Sequence, residues 1–150
     1  MSDQTVIRVK DLTKYYGNHL GIKNINFEVN SGEIFGFLGP NGAGKTTTIR
    51  LLLDLLKPNS GSVELLGQKL PEDSLDIRRK TGYLPGHFTA YQHLTVKEFL
   101  DFITAIRNLP KNPKFKLIDQ LSFRNNLNQK IKHLSHGNRQ KLGIIQAFYP

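Results

Sequence analysis

The chain has 150 residues, of which 38% are hydrophobic and 9% aromatic, and its formal net charge is +9. This composition is typical of a folded globular domain and is too apolar for a disordered tail. The absence of cysteine from the sequence excludes a disulfide scaffold, a thiolate metal site and a cysteine nucleophile. No secretory signal is visible in the sequence, and no run approaches the ~18 apolar residues of a membrane-spanning helix. We therefore expect a soluble domain located inside the cell.

The positive charge is concentrated in the second half of the chain. Residues 1–85 carry 11 basic and 9 acidic side chains (net +2), whereas residues 86–150 carry 10 basic and 3 acidic side chains (net +7). A basic half is compatible with binding to nucleic acid or to anionic lipid headgroups, or with a solvated helical surface. Its lysines are scattered and are not interleaved with aromatic residues that would stack on bases. The pattern favours the solvated surface.

The first third of the chain is predicted to be rich in β-structure. Val6–Val9 and Ile22–Val29 alternate between apolar and polar residues, as half-buried strands do. Ile34–Leu38 is apolar without alternation, which predicts a parallel strand covered on both faces. Lys45–Leu56 follows as a predicted helix that is apolar on most sides, and Lys57–Gly61 contains the residues that end it.

Two short strands, Ser62–Leu66 and Gly82–Leu84, are predicted on either side of a charged segment, so strands and helices alternate as in an α/β core. Beyond Pro85 the pattern becomes helical. Thr95 and Glu98 form a capping box before a helix that is predicted to end at Leu109-Pro110. The apolar face of that helix consists of Val96, Phe99, Leu100, Ile103 and Ile106. Further helices are predicted over Phe115–Leu121 and Leu142–Phe148, and we place the division between two subdomains near Pro85–Gly86.

The segment from Gly39 to Thr46, Gly-Pro-Asn-Gly-Ala-Gly-Lys-Thr, matches the P-loop pattern G-x-x-x-x-G-K-S/T in full. Glycines let successive backbone N–H groups point inward at a phosphate, where a Cβ would obstruct them. The helix that follows presents unpaired N–H groups and the positive end of its dipole to the same anion. We expect Lys45 to reach the β- and γ-phosphates and the Thr46 hydroxyl to bind Mg²⁺. The motif therefore predicts binding of a nucleotide polyphosphate.

Two further segments accompany the P-loop. Leu12–Gly17 (Leu-Thr-Lys-Tyr-Tyr-Gly) precedes the strand that leads to the loop, and Leu134–Lys141 (Leu-Ser-His-Gly-Asn-Arg-Gln-Lys) precedes a predicted helix, with Ser135 at a capping position. Together with Gly39–Thr47 these segments resemble the ATP-binding subunits of ABC transporters, which carry a Leu-Ser-Gly-Gly-Gln signature and an upstream adenine-stacking tyrosine. The resemblance covers essentially the whole chain. It is strongest to prokaryotic multidrug and antibiotic exporters, which carry Tyr-Leu-Pro-Gly at the position of Tyr83–Gly86.

The resemblance implies an α/β P-loop NTPase core, made of an N-terminal antiparallel β portion and a parallel sheet, together with a helical subdomain. Residues 1–150 would form a single partial ATP-binding domain, with the nucleotide-binding core in residues 1–85 and the helical subdomain in residues 86–150. The implied cofactors are ATP and Mg²⁺.

The resemblance also implies roles for individual residues. Tyr16 would stack on the adenine ring, since a flat aromatic face accepts a base without reading its edges. The implied nucleotide-binding residues are Tyr16, Gly39, Pro40, Asn41, Gly42, Ala43, Gly44, Lys45, Thr46 and Thr47, with Thr46 also binding the metal. The implied signature residues are Leu134, Ser135, His136, Gly137 and Asn138. In the family this signature caps the γ-phosphate of ATP bound to the opposing subunit.

The sequence departs from the family pattern at three positions. His136 replaces the first glycine of the signature, and Asn138 replaces its glutamine. Gly86 stands where the family usually has a metal-binding glutamine, and imidazole is a poor match for a hard cation, so the neighbouring His87 is a disfavoured substitute.

In the family, an apolar strand that ends in a metal-holding Asp and a water-activating Glu follows the signature helix, and a His lies on a later strand. No Asp-Glu pair terminates an apolar run in residues 1–150. We therefore expect a chain truncated after the signature, with no catalytic residue within it, that does not hydrolyse ATP by itself at a useful rate.

As a family member, the chain would couple ATP binding and hydrolysis to export. It would pair with a second ATP-binding subunit, as a homo- or heterodimer, and with a transmembrane permease that holds it on the cytoplasmic face of the membrane. The alternatives are a non-catalytic nucleotide-binding fragment and an ATPase of chromosome maintenance or DNA repair. Many of the latter insert a long coiled coil between the two motifs, whereas Lys45 and Ser135 are 90 residues apart with no sustained heptads between them. We therefore expect no specific nucleic-acid partner.

Overall fold

The computed structural model describes residues 4–108 and 115–148. The chain divides into two compact units, Met1–Arg79 and Lys80–Pro150. The observed division therefore falls a few residues before the Pro85–Gly86 position suggested by the sequence.

The first unit contains a four-stranded sheet in the order β2-β1-β3-β4. Its strands are β1 (Thr5–Tyr16), β2 (His19–Asn30), β3 (Ser60–Leu65) and β4 (Gln68–Lys69). The predicted strands at the N-terminus and near residue 62 are confirmed, and β1 and β2 are longer than predicted. Every pair of neighbouring strands is antiparallel. The alternating apolar side chains of this sheet pack with the two helices of the unit in one core, whose buried members are Val9, Leu12, Ile22, Leu51, Val63, Leu65 and Ile77.

The predicted parallel strand at Ile34–Leu38 is wrong for the part of the chain that the structure describes. This segment belongs to no described ladder, and the side chains of Ile34 and Leu38 are 99% and 94% exposed. A strand is defined by backbone hydrogen bonds to a neighbour, and no described strand lies beside this segment to supply them. Its aromatic residues cluster instead, with the Phe35 ring stacked on Phe27 at 5.2 Å between centroids. The sheet that is described is therefore antiparallel throughout.

Helix α1 (Lys45–Leu52) is shorter than the predicted Lys45–Leu56 because the chain turns at Asp54. Asp54 adopts a left-handed conformation with φ of 52°. Its N–H donates to the Leu51 carbonyl, and the N–H of Leu55 donates to the Arg50 carbonyl, which is the hydrogen-bond pattern of a Schellman cap. The Asp54 carboxylate also pairs with Lys57 at 2.8 Å. The short helix α2 (Ser74–Lys80) lies in the charged segment that follows β4.

The second unit is helical. It contains α3 (Val96–Ile106), α4 (Phe115–Gln120), α5 (His136–Ala147) and two 3₁₀ turns, Arg124–Asn126 and Ile131–His133. Its core comprises Val96, Phe99, Leu100, Ile118, Phe123, Ile131, Leu134, Leu142 and Ile145. The predicted strand at Gly82–Leu84 does not form in the described chain. Gly82 instead lies so close to the Ala147 carbonyl, at the end of α5, that a Cβ there would overlap it.

The predicted capping box before α3 is confirmed. The Thr95 Oγ1 accepts a hydrogen bond from the Glu98 N–H at 3.2 Å, and the Glu98 carboxylate accepts from the Thr95 N–H at 2.7 Å. Four of the five predicted face residues are buried or half-buried, whereas Ile106 in the last turn is 63% exposed. The helix ends at Ile106, and the predicted stop at Leu109-Pro110 lies outside the described residues.

The capping box predicts a loss of stability in acid. Hydrogen bonds from the Thr95 N–H and hydroxyl lower the pKa of Glu98 below its ordinary value of 4.5. A carboxyl group whose pKa is lower in the folded state stabilises the fold above its unfolded pKa, and this contribution is lost as the pH falls through the folded value. We therefore expect Glu98→Gln to flatten the decrease of the melting temperature below about pH 4.5. Melting curves from neutral to acidic pH test this. Asp101→Asn, which changes an exposed carboxylate on the same helix outside the capping box, serves as the control, and an equal flattening in that variant would contradict the assignment.

Candidate functional site

The P-loop turns from Gly39 into the first residue of α1. Gly42 and Gly44 both have φ of 87°, a left-handed conformation that favours glycine. Gly44 is also limited by space, because a Cβ there would overlap the Ile22 side chain and lie 3.0 Å from the Gly21 carbonyl oxygen. Strand β2 therefore packs directly against the point where the loop enters the helix.

The first turn of α1 is open to an anion. Its N-cap residue, Gly44, has no side chain to accept from the free N–H groups, and the turn contains no acidic residue. The helix terminus is held by Thr48, whose N–H and hydroxyl both donate to the Gly44 carbonyl, at 2.8 and 3.0 Å. Thr48 is 1% exposed, so this anchor is buried. The free N–H groups and the helix dipole are thus available at a fixed place.

Lys45 lies back across the loop. Its Nζ donates to the Gly39 carbonyl at 2.6 Å and to the Pro40 carbonyl at 2.7 Å. These bonds keep the ammonium group beside the curled backbone. A phosphate oxygen bound there would be a stronger, charged acceptor for the same donor.

Tyr16, at the end of β1, faces the same cleft. The cleft has a volume of about 380 Å³ and is lined by Tyr16, Leu20, Gly21, Asn41, Gly42, Gly44, Lys45, Thr46 and Thr47. The Tyr16 side chain is 44% exposed, and its hydroxyl lies 3.3 Å from the Thr47 Oγ1, at hydrogen-bonding distance. The structure thus brings Tyr16 together with six of the predicted P-loop residues, whereas Gly39, Pro40 and Ala43 are not among the residues that line the cleft.

The donors in this cleft suit Mg²⁺ at one position. Thr46 is exposed at the start of α1 and offers a hydroxyl oxygen, the hard ligand type that Mg²⁺ prefers. No carboxylate lines the cleft, and the described residues contain no cluster of three or more His, Cys, Asp or Glu that could hold a metal ion. The residues that line the cleft therefore offer hydroxyl and amide oxygens to a cation but no carboxylate.

The signature segment lies in the second unit. Leu134 is buried in the helical core, and Ser135 is the N-cap of α5, as predicted, with its Oγ accepting from the Asn138 N–H at 3.2 Å. The next two residues, His136 and Gly137, are exposed, and a Cβ at Gly137 would meet no atom within 4 Å. The signature therefore presents a capped helix N-terminus with an accessible first turn.

Two of the three departures from the family pattern, His136 and Gly86, are exposed, whereas Asn138 is half-buried. A Cβ at Gly86 would have no neighbour within 4 Å, and His87 beside it is exposed. Both residues lie in the second unit.

Sequence reasoning missed three residues of the first unit. Thr48 anchors the loop, and Leu20 and Gly21 line the cleft from β2. A glycine inside an alternating strand pattern is a recognised indication of a bulge or a close backbone approach, so Gly21 was detectable in principle. No comparable sequence pattern indicates that Leu20 lines the cleft or that Thr48 anchors the loop.

The comparisons with known proteins agree with this geometry. Residues 22–150 match the family model described as "ABC transporter". The chain is 37% identical over 149 residues to the bacitracin transport ATP-binding protein BcrA of Bacillus licheniformis, covering 97% of this chain and 49% of that protein. It is 41% identical over 119 residues to the probable multidrug ABC transporter ATP-binding protein YbhF of Escherichia coli, covering 79% of this chain and 21% of that protein.

Solved structures give the same result. The structure described as the ATP-binding subunit of an ABC transporter superimposes with a TM-score of 0.87 at 30% identity, covering 96% of this chain and 62% of that chain. The chain spans about half the length of the curated relatives BcrA and YxlF, the latter from Bacillus subtilis. Family model, relatives and structure together show that this chain belongs to the ABC transporter family, as an ATP-binding cassette with the P-loop NTPase fold.

Proposed function

We propose that this chain is the nucleotide-binding part of an ATP-binding subunit in a bacterial-type export system. The observation that carries the proposal is the P-loop cleft, where the open N-terminus of α1, the Lys45 ammonium and the Tyr16 ring border one cavity. The relatives that are named for bacitracin and multidrug transport support an export role.

Different residues of the cleft bind different parts of the nucleotide. The backbone N–H groups of Gly39–Thr47 and the Lys45 ammonium bind the phosphates, because these donors carry positive charge and the phosphates are the negatively charged part of ATP. Tyr16 accepts the adenine ring on its exposed face. Thr46 holds Mg²⁺, which neutralises charge on the phosphate oxygens when it is bound.

The signature segment binds the nucleotide that is held by a second ATP-binding subunit. Ser135 and the first turn of α5 form an anion-binding helix terminus in the second unit, separate from the residues that line the P-loop cleft. We propose that Leu134, Ser135, His136, Gly137 and Asn138 cap the γ-phosphate of ATP on the opposing subunit. Dimerisation then depends on ATP, because the nucleotide lies between the two surfaces.

Export requires a partner in the membrane. No helix in residues 4–108 or 115–148 is long and apolar enough to cross a bilayer. We propose that a transmembrane permease carries the transported substrate and holds the chain at the cytoplasmic face.

Residues 1–150 by themselves are expected to bind ATP without hydrolysing it at a useful rate. Phosphoryl transfer to water needs a water molecule that is oriented for in-line attack and a metal that is fixed against the phosphates. Within the described first unit, no Asp or Glu lines the cleft to orient that water.

The experiment measures two properties of the same preparation. Titration calorimetry with ATP, ADP and tripolyphosphate in the presence of Mg²⁺ tests binding, and phosphate release tests turnover. We expect all three ligands to bind and no steady release of phosphate. Absence of binding would contradict the proposed site, and release that disappears in Lys45→Ala would show that residues 1–150 contain a complete catalytic set.

A further inference from the structure

Gly21 occupies an irregular position in the β1–β2 hairpin. Lys14 is paired with Ile22, but the next residue, Tyr15, is paired with Leu20, so the register shifts by one residue. Gly21 is therefore left without a partner on β1, opposite the step from Lys14 to Tyr15 and two residues after His19, which is paired with Tyr16. An extra residue of this kind bends the strand and redirects the neighbouring side chains.

Gly21 is required for space and not for its backbone conformation. Its φ lies outside the left-handed region that favours glycine, so an alanine could adopt the same backbone. A Cβ at this position, however, would lie 2.9 Å from the Tyr16 Cε2, 3.2 Å from the Tyr16 Cδ2 and 3.1 Å from the Lys14 carbonyl oxygen. The Tyr16 ring thus occupies the volume that any other side chain at position 21 would need.

The same ring is held at two further points. Its hydroxyl lies 3.3 Å from the Thr47 Oγ1, which links the end of β1 to helix α1. The Lys14 ammonium lies 5.8 Å from the ring centroid and is anchored to the Lys57 carbonyl at 2.6 Å. A ring displaced from Gly21 would lose the Thr47 hydrogen bond, because 3.3 Å is already long for two hydroxyl groups.

We propose that Gly21 is a positioning residue for nucleobase binding: its missing side chain lets the Tyr16 ring lie against β2, where the hydroxyl reaches Thr47 and the free part of the ring borders the P-loop cleft. The inference rests on the proposed function, in which Tyr16 stacks on adenine. It adds that the position of the stacking surface is set by a residue of β2 that need not touch the nucleotide.

Gly21→Ala tests the proposal with ligands that differ only in having a base. We expect this variant to bind ATP and ADP about fivefold more weakly, at the low end of the loss caused by removing a base–aromatic stack. Tripolyphosphate has no base, so its affinity should not change. Gly36→Ala is the matched control, because a Cβ at Gly36, in the same unit, would meet no atom within 4 Å.

A double-mutant cycle separates positioning of Tyr16 from a general disturbance of the cleft. In a Tyr16→Ala background, Gly21→Ala should have no further effect on ATP binding. An unchanged ATP affinity in Gly21→Ala alone would overturn the proposal. So would an equal loss of ATP and tripolyphosphate binding, or a full additional loss in the Tyr16→Ala background.

Two further variants distinguish a failure of the Gly21 proposal from misfolding of Gly21→Ala and from a failure of the proposed P-loop site. If Gly21→Ala does not fold, as judged by circular dichroism, Tyr16→Phe removes the hydrogen bond to Thr47 and keeps the ring. ATP binding should then weaken while tripolyphosphate binding does not, and unchanged ATP binding would overturn the proposal. Wild-type tripolyphosphate binding that is lost in Lys45→Ala tests the P-loop independently, so a failure of the proposed function is distinguishable from a failure at Gly21.

Discussion

Lys45→Ala is expected to weaken ATP binding by about 10- to 150-fold, because a hydrogen bond to a charged group contributes about 1.5–3 kcal/mol. In the structure the Lys45 Nζ already lies against the loop, where it donates to the carbonyls of Gly39 and Pro40. Phosphate binding exchanges these neutral acceptors for a charged one, and the alanine variant has no donor to offer. Tripolyphosphate binding should decrease with ATP binding, since both ligands present the same phosphates.

Titration calorimetry in the presence of Mg²⁺ measures both affinities. Lys23→Ala is the matched control, because Lys23 is exposed on β2, does not line the cleft and carries the same charge. An effect of Lys23→Ala as large as that of Lys45→Ala would indicate long-range attraction by net charge. Unchanged affinity in Lys45→Ala would contradict the assigned role of this lysine.

Phe123→Ala is expected to lower the free energy of unfolding by about 3–5 kcal/mol, the usual cost of truncating a fully buried phenylalanine. Phe123 is 0% exposed in the core of the helical unit, where the cavity left by its ring is surrounded by apolar side chains. Because small domains are stable by only about 5–15 kcal/mol, this loss should shift the urea midpoint strongly.

Equilibrium unfolding in urea, followed by circular dichroism, provides the measurement. Phe102→Ala is the control on α3, since its ring is 40% exposed and contacts Tyr91 with 5.4 Å between centroids. We expect that variant to lose about 1 kcal/mol or less. Equal losses in the two variants would mean that Phe123 does not lie in the core of a cooperatively folded unit.

The features that were predictable from the sequence are those encoded by neighbouring residues. A capping box depends on a Thr and a Glu three positions apart, and both hydrogen bonds of the Thr95–Glu98 box are present. The Ser135 cap and the start of α1 at Lys45 depend equally on local sequence. The P-loop motif was predictable for the same reason, since its glycines, lysine and threonine are close together in the sequence.

The missed features depend on partners that are distant in sequence. Ile34–Leu38 has the composition of a buried strand, but composition does not provide the neighbouring strand whose hydrogen bonds create one. The end of α1 at Leu52 depends on Asp54 entering a left-handed conformation, where its carboxylate pairs with Lys57. A periodic apolar pattern that continues to Leu56 conceals this turn.

The sequence by itself determined the family of this protein and the extent of its P-loop and signature motifs, because each motif is a contiguous stretch of the chain. Only the tertiary structure decided how the cleft is completed. It placed Tyr16 beside Thr47, which is 31 positions away, and Gly21 beneath the Tyr16 ring. Both contacts follow from the pairing of β1 with β2 and from the packing of β2 against Gly44. Strand register is set by the whole sheet. The local sequence therefore identified Tyr16, but the position of its ring depends on the register shift at Gly21.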